Sequence, residues 1–232
     1  PMFEPYISTA LEEEQTALGF KPYLSRKFIV DVMSDGTQPL IPAVSLNSSK
    51  HVSYSGSAII NKDDGAKLVG YLNRKESYYA SWITDRLANL TLTSFVSKGD
   101  GNVSLRVEKL GRRIRVKKAD ERIQIDVLLM GEGTIIENNT NLDPSIRKDL
   151  LLIQDELSQK AQKSAHLLVK KVQKKYKMDI FGFGESMHQQ YPQKWKTLKK
   201  NWTKTFPTVD VSVKVDLQIN DPGITNSSLN KP

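Results

Sequence analysis

The sharpest pattern in the chain lies near its end. VDVSVKVDLQI, Val209 to Ile219, alternates without a break. Val209, Val211, Val213, Val215, Leu217 and Ile219 fall on one side, and Asp210, Ser212, Lys214, Asp216 and Gln218 on the other. A period of two predicts an extended strand with one buried face. A second pattern, of period near 3.6, runs from Ile146 through Leu150, Ile153, Leu157, Ala161, Ala165, Leu168 and Val172 to Tyr176, after Asp143-Pro144. It predicts a single helix, roughly 46 Å long at about 1.5 Å per residue.

Between and around these two elements the patterns are shorter. Thr9 to Glu12 fits a capping box, Gly19 suits a left-handed helix stop, and Pro22 a second helix start. Leu24, Phe28, Ile29 and Val32 repeat at helical spacing until Asp35-Gly36, and Gln38 to Leu46 reads as extended. SAIIN and KLVGYL flank the turn Asp63-Asp64-Gly65. Glu76 to Asn89 predicts a helix with Tyr79, Trp82, Ile83 and Leu87 inward, and LTLTSFV a strand ending at Gly99-Asp100-Gly101. Val103, Leu105 and Val107, then Ile114 and Val116, then Ile123, Ile125 and Val127 predict a meander. Its turns are expected at Gly111 and at Ala119-Asp120, with a bulge at Gly131 and Gly133. Tyr191, Trp195, Leu198, Trp202 and Phe206 predict one amphipathic helix after Pro192. Before it, DIFGFGE (Asp179 to Glu185) reads as a joint, with glycines making the turn and phenylalanines folded inward.

The fold class is therefore α+β: an antiparallel or mixed sheet with a long amphipathic helix on one face, preceded by a small, mainly helical segment. Residues 1–47 read as the end of an upstream domain, 48–223 as an α+β domain, and 224–232 as a flexible tail. Composition agrees with a folded chain: 232 residues, 38% hydrophobic and 26% charged. No apolar run is long enough to span a bilayer. The chain opens Pro1-Met2, which reads as a trimmed start, so missing targeting signals exclude nothing. Cysteine is absent, which excludes disulfides and thiolate chemistry within these residues.

Charge changes the picture through its placement. The net charge is +8, and the basic residues gather in three stretches: Arg112 to Lys118, the long helix, and Lys194 to Lys204. Lys170 and Lys171 near the helix end suit its dipole, but Lys160 and Lys163 lie too far from that end. Lys160, Lys163, Lys170 and Lys171, with Arg112, Arg113 and Arg115, are the candidate surface for an anionic membrane or an acidic partner patch. A solvated face is the plain alternative. Catalytic signals are missing: His51, His166 and His188 have no metal-spaced partners, and no GxSxG, HExxH or P-loop occurs. Gly182-Phe183-Gly184 lacks the third glycine of a dinucleotide fingerprint. No catalytic, metal or cofactor residues are assigned, and no enzyme activity is expected. A basic binding module for nucleic acid or another polyanion stays as the alternative function; it is not favoured, because the aromatics fall on helix faces expected to be buried.

The order of parts carries a resemblance. GSAIIN…KLVGYLNRKES, a meander, a Lys-rich helix, DIFGFGE, P-x-x-W-K-x-L-K-K-N-W and an alternating strand together resemble the C-subunit family of spore germinant receptors, the GerAC-type germination lipoproteins. The likeness covers roughly Val52 to Gly223, and residues 1–46 look like the end of that family's middle domain. The chain departs from the family in lacking its N-terminal region and lipid-bearing cysteine; a chain cut after the anchor accounts for both. The resemblance implies a non-enzymatic receptor subunit, lipid-anchored on the outer face of the spore inner membrane. It also implies work with integral-membrane A and B subunits, no nucleic acid and no cofactor. It transfers no ligand-contacting residue to this sequence.

Overall fold

A computed structural model describes residues 16–21, 25–46, 52–119 and 122–221. The capping box at Thr9, the helix start at Pro22, Asp120 of the last meander turn and the tail 224–232 lie outside those residues. Among the described residues, seven strands form two sheets. The first has the order β1 (Leu40–Leu46), β2 (Val52–Asn61), β3 (Lys67–Asn73), antiparallel throughout. The second has the order β4 (Leu90–Val96), β5 (Gly101–Ala119), β6 (Arg122–Asn138), β7 (Asp210–Asp221). Its first two pairings are antiparallel and the last, β6 with β7, is parallel. The architecture is α+β with a mixed sheet, as the two periodicities predict.

Strand β7 buries Val211, Val213, Val215, Leu217 and Ile219 and exposes the residues between them. Its partner β6 buries Ile123, Ile125, Val127 and Leu129 on the same face. Helix α3 (Arg147–Lys171) lies on that face, against β7 and the far strand β4. It buries Ile153, Leu157, Ala161, Ala165 and Leu168, and a π-turn, Val172–Tyr176, continues it before Lys177 turns left-handed. Ile146, at the head of the apolar stripe, is exposed.

Four expectations are corrected. Strand β5 runs unbroken through Gly111, where a turn is expected. Its alternation slips because Glu108 bulges out between Val107, opposite Gly133, and Lys109, opposite Glu132. Helix α2 spans Arg74–Ile83 only; Asp85 is left-handed, and Leu87 is buried beyond the helix. The predicted helix from Pro192 to Phe206 is divided: α5 (Pro192–Leu198) and α6 (Trp202–Thr205) are joined by a 3₁₀ turn. Helix α1 (Ser25–Met33) turns Ile29 and Val32 to solvent and buries Asp31, which pairs with Arg86. Gly19 is left-handed, as its position predicts.

Candidate functional site

Two places in the molecule concentrate polar groups. The first is the joint after α3. Asp179 is buried, and its carboxylate accepts from five N–H groups. Oδ1 takes the backbone of Phe181, Gly182 and Phe183 at 3.0, 3.0 and 3.2 Å. Oδ2 takes Gly184 at 2.7 Å and the Trp202 indole at 2.9 Å. The first two N–H groups of α4 (Phe183–Gln190) are thus satisfied by a side chain four residues before the helix. Burial pushes the Asp179 carboxyl up to about 6, against the pull of those donors. The glycines follow from close approach: a Cβ on Gly184 would stand 2.6 Å from Trp202 Nε1 and 2.7 Å from the Gly36 carbonyl. Gly182 takes a left-handed conformation. Glu185 accepts from Ser34 and Gln189, each at 3.0 Å, and His188 stacks on Trp195. All the named groups hold the fold. Trp82, Trp195 and Trp202 are buried, so none is a surface for stacking bases.

The second place is a groove of about 730 Å³ bounded by the start of α2, strand β4 and one flank of α3. The sequence builds it locally. Asn73 caps α2: its side chain accepts from the Glu76 backbone at 2.9 Å, and Glu76 Oε2 accepts from the Asn73 N–H at 3.0 Å. The other Glu76 oxygen takes Lys171 Nζ from α3 at 2.6 Å, bridging the groove at one end. Leu90, Leu92, Leu157, Ala161 and Leu168 form its apolar floor. Tyr79 and Ser164 both line it, and burial raises the Tyr79 hydroxyl above its usual range. Leu167 stands on the lip, exposed.

The predicted basic surface divides among these features. Lys160 and Lys171 border the groove. Lys163 lies on the neighbouring flank of α3, in a concavity with His166 and Val213 that Lys160 also borders, and Lys170 is half-exposed on the same helix. Arg112 pairs with Leu129 and so lies on the inner sheet face, close to Asp85 and Gln190. Arg113 and Arg115 pair with Leu128 and Asp126 on the outer face, where Lys117 and Ser212 hold the Asp126 carboxyl below the usual carboxylate range. The seven residues do not form one patch. Sequence reasoning missed Arg74, Lys75 and Glu76 at the groove and Asp179 as a hub. The N-R-K-E run at Asn73 is a capping-box pattern and was the available signal for the first three.

A family profile described as "Spore germination B3/ GerAC like, C-terminal" matches residues 55–223. The chain belongs to this family. The groove and all of α4 to α6 lie inside the GerAC-like span, whereas Ser34 and Gly36, which brace the Asp179 joint, precede it. Among curated relatives from Bacillus subtilis (strain 168), spore germination protein YndF is 26% identical over 208 residues, 90% of this chain and 51% of that protein. Spore germination protein KC is 28% identical over 168 residues, 72% of this chain and 41% of that protein. The chain spans about half the length of these relatives. The crystal structure of the GerBC protein matches with a TM-score of 0.72 at 19% identity, covering 86% of this chain and 61% of that chain. That likeness supports the α+β fold. No helix among the described residues is long and apolar enough to cross a membrane.

Proposed function

We propose that this chain is part of the C subunit of a nutrient-germinant receptor. In this reading it is a non-catalytic component that acts with integral-membrane A and B subunits to trigger spore germination. The observation that carries it is membership of the GerAC-like family over 55–223, together with relatives named as spore germination proteins. In the full-length protein a lipid anchor would hold the domain at the outer face of the spore inner membrane. The Lys163 and Lys170 side of α3, and Arg113 with Arg115 on the open sheet face, would then be cations near the bilayer, each worth about 1 kcal/mol against anionic headgroups. Arg112 faces away from Arg113 and Arg115, and Lys171 is held by Glu76. The test is affinity purification of the tagged full-length protein from detergent-solubilised spore membranes. Two polytopic membrane proteins should co-purify with it; recovery without any polytopic partner would overturn the reading.

A further inference from the structure

The groove beside α3 has three properties that together name an occupant. Strand β4 meets it edge-on: residues of its inner face, Leu90 and Leu92, and of its outer face, Thr91 and Thr93, all line the cavity. β4 is an edge strand, with only β5 beside it among the described residues. The backbone just before it is already engaged, since the Ala88 and Asn89 N–H groups donate to the Gly19 carbonyl at 2.7 and 3.1 Å. From Leu90 onward one edge of the strand faces the groove with no neighbouring strand among the described residues. An exposed sheet edge recruits an extended segment through main-chain hydrogen bonds, and pockets alongside read its alternate side chains.

The second property is the apolar floor, where Leu157, Ala161 and Leu168 lie beside the strand edge. The third is charge. Arg74, Lys75, Lys160 and Lys171 surround the groove against one carboxylate, Glu76, which Lys171 already neutralises. Lys75 and Lys160 are exposed and enter no ion pair among the described residues. Their excess positive charge selects a negative partner and repels a basic one.

We infer that this groove docks an extended acidic segment of a partner protein, added as a strand to the free edge of β4. Alternate apolar side chains of the segment enter the floor between α2 and α3, and its carboxylates meet Lys75 and Lys160. The inference names the chemistry of the docked segment and does not depend on the receptor reading.

The test uses the chain as it stands, with a short synthetic peptide alternating Val and Glu as probe and its Val/Lys counterpart as control. The Val/Glu peptide should bind, and hydrogen exchange at Leu90 to Thr93 should slow on binding. Lys75→Glu with Lys160→Glu should weaken binding about tenfold or more, as expected for reversed steering charges. Lys196→Glu with Lys200→Glu makes the same change in net charge away from the groove and should leave binding within about twofold. All four positions are on the surface, so unfolding midpoints verify that both variants are folded. Equal losses in the two double variants, no slowing at β4, or no binding of the Val/Glu peptide would overturn the inference. So would phosphatidylglycerol vesicles, rather than the peptide, showing the Lys75 and Lys160 dependence, or a chain dimer that requires the same two residues.

Discussion

At the scale of single residues, Asp179 and the two tryptophans near it behave as a unit with unequal parts. The Trp202 indole donates to the buried carboxylate, whereas the Trp195 indole N–H is buried without a partner among the described residues. Trp202→Phe should therefore cost about 2–3 kcal/mol, the value of a hydrogen bond to a charged group plus lost contact. Trp195→Phe should cost roughly 1 kcal/mol less, because no bond is broken; urea unfolding midpoints would rank them, and the reverse order would show the bond to be unimportant. Asp179 also ties stability to pH. Its folded value of about 6 lies above the ordinary 3.8, so the folded state takes up the proton first as pH falls. Stability contributed at this site should rise as pH drops from 7 to 4, by up to about 3 kcal/mol, and be lost as pH climbs through 6. Unfolding of the parent and Asp179→Asn across that range isolates the effect: the gap between them should widen toward pH 4. A gap that narrows below pH 6 would mean that the five donors outweigh burial. The run DIFGFGE announces a turn in the sequence, but the hub does not show, because nothing in one sequence says that five N–H groups will converge on its first residue.

At the scale of elements, β7 and α3 are the legible pair, since each carries one unbroken period that only one geometry satisfies. What the pattern omits is how they meet at the strand's free edge. The Val215 N–H donates to Gln162 Oε1 at 3.3 Å and the Ile219 N–H to Gln154 Oε1 at 3.4 Å. Eight helical residues advance about 12 Å and four strand residues about 13 Å, so the two glutamines keep pace with alternate outward N–H groups. Further along, buried Gln173 donates to the carbonyls of Phe206 and Val209 at 3.0 and 2.8 Å. The helix thereby blunts an edge that would otherwise pair with another strand. Gln154→Ala with Gln162→Ala should cost about 1 kcal/mol per bond and raise self-association, read by unfolding and by light scattering. Unchanged scattering would mean that the helix shields the edge by bulk alone. By contrast, β5 misleads: Glu108 bulges, the alternation changes phase, and Gly111, whose carbonyl takes the Trp82 indole at 3.1 Å, looks like a turn. The helix expected from Pro192 onward keeps its apolar face but not its continuity, since Trp195 and Trp202 must both reach the same pocket edge to face at 5.4 Å.

At the scale of the whole molecule, the division at residues 47 and 48 meets a dense set of ties. Strand β1 lies before it and β2 after it, and they pair from Leu40 opposite Ile59 to Leu46 opposite Val52. The Gln38 N–H donates to the Asp179 carbonyl at 2.7 Å, and its side chain joins Asp63 at 2.6 Å and the Lys62 backbone at 3.0 Å. Lys62 Nζ closes the end of α1 on the carbonyls of Asp31 and Ser34. Lys199 reaches Asp35 at 3.1 Å and Glu185 reaches Ser34, so the first segment also grips the last helices. None of this is legible in the sequence, because each tie joins residues far apart in the chain and uses ordinary polar side chains without a motif. A chain beginning at residue 48 should consequently be crippled rather than merely shortened. It would expose Ile59 and Tyr54, which are fully buried in the present structure, and leave the Asp179 carbonyl without its donor. Exposing two such side chains costs roughly 3–6 kcal/mol, which consumes much of the usual stability of a domain. The shortened chain should show a lower urea midpoint and partial aggregation, whereas the full chain should melt in one transition followed equally by tryptophan fluorescence and circular dichroism. Equal midpoints for the two chains would instead make residues 1–47 a separate unit resting on a self-sufficient domain.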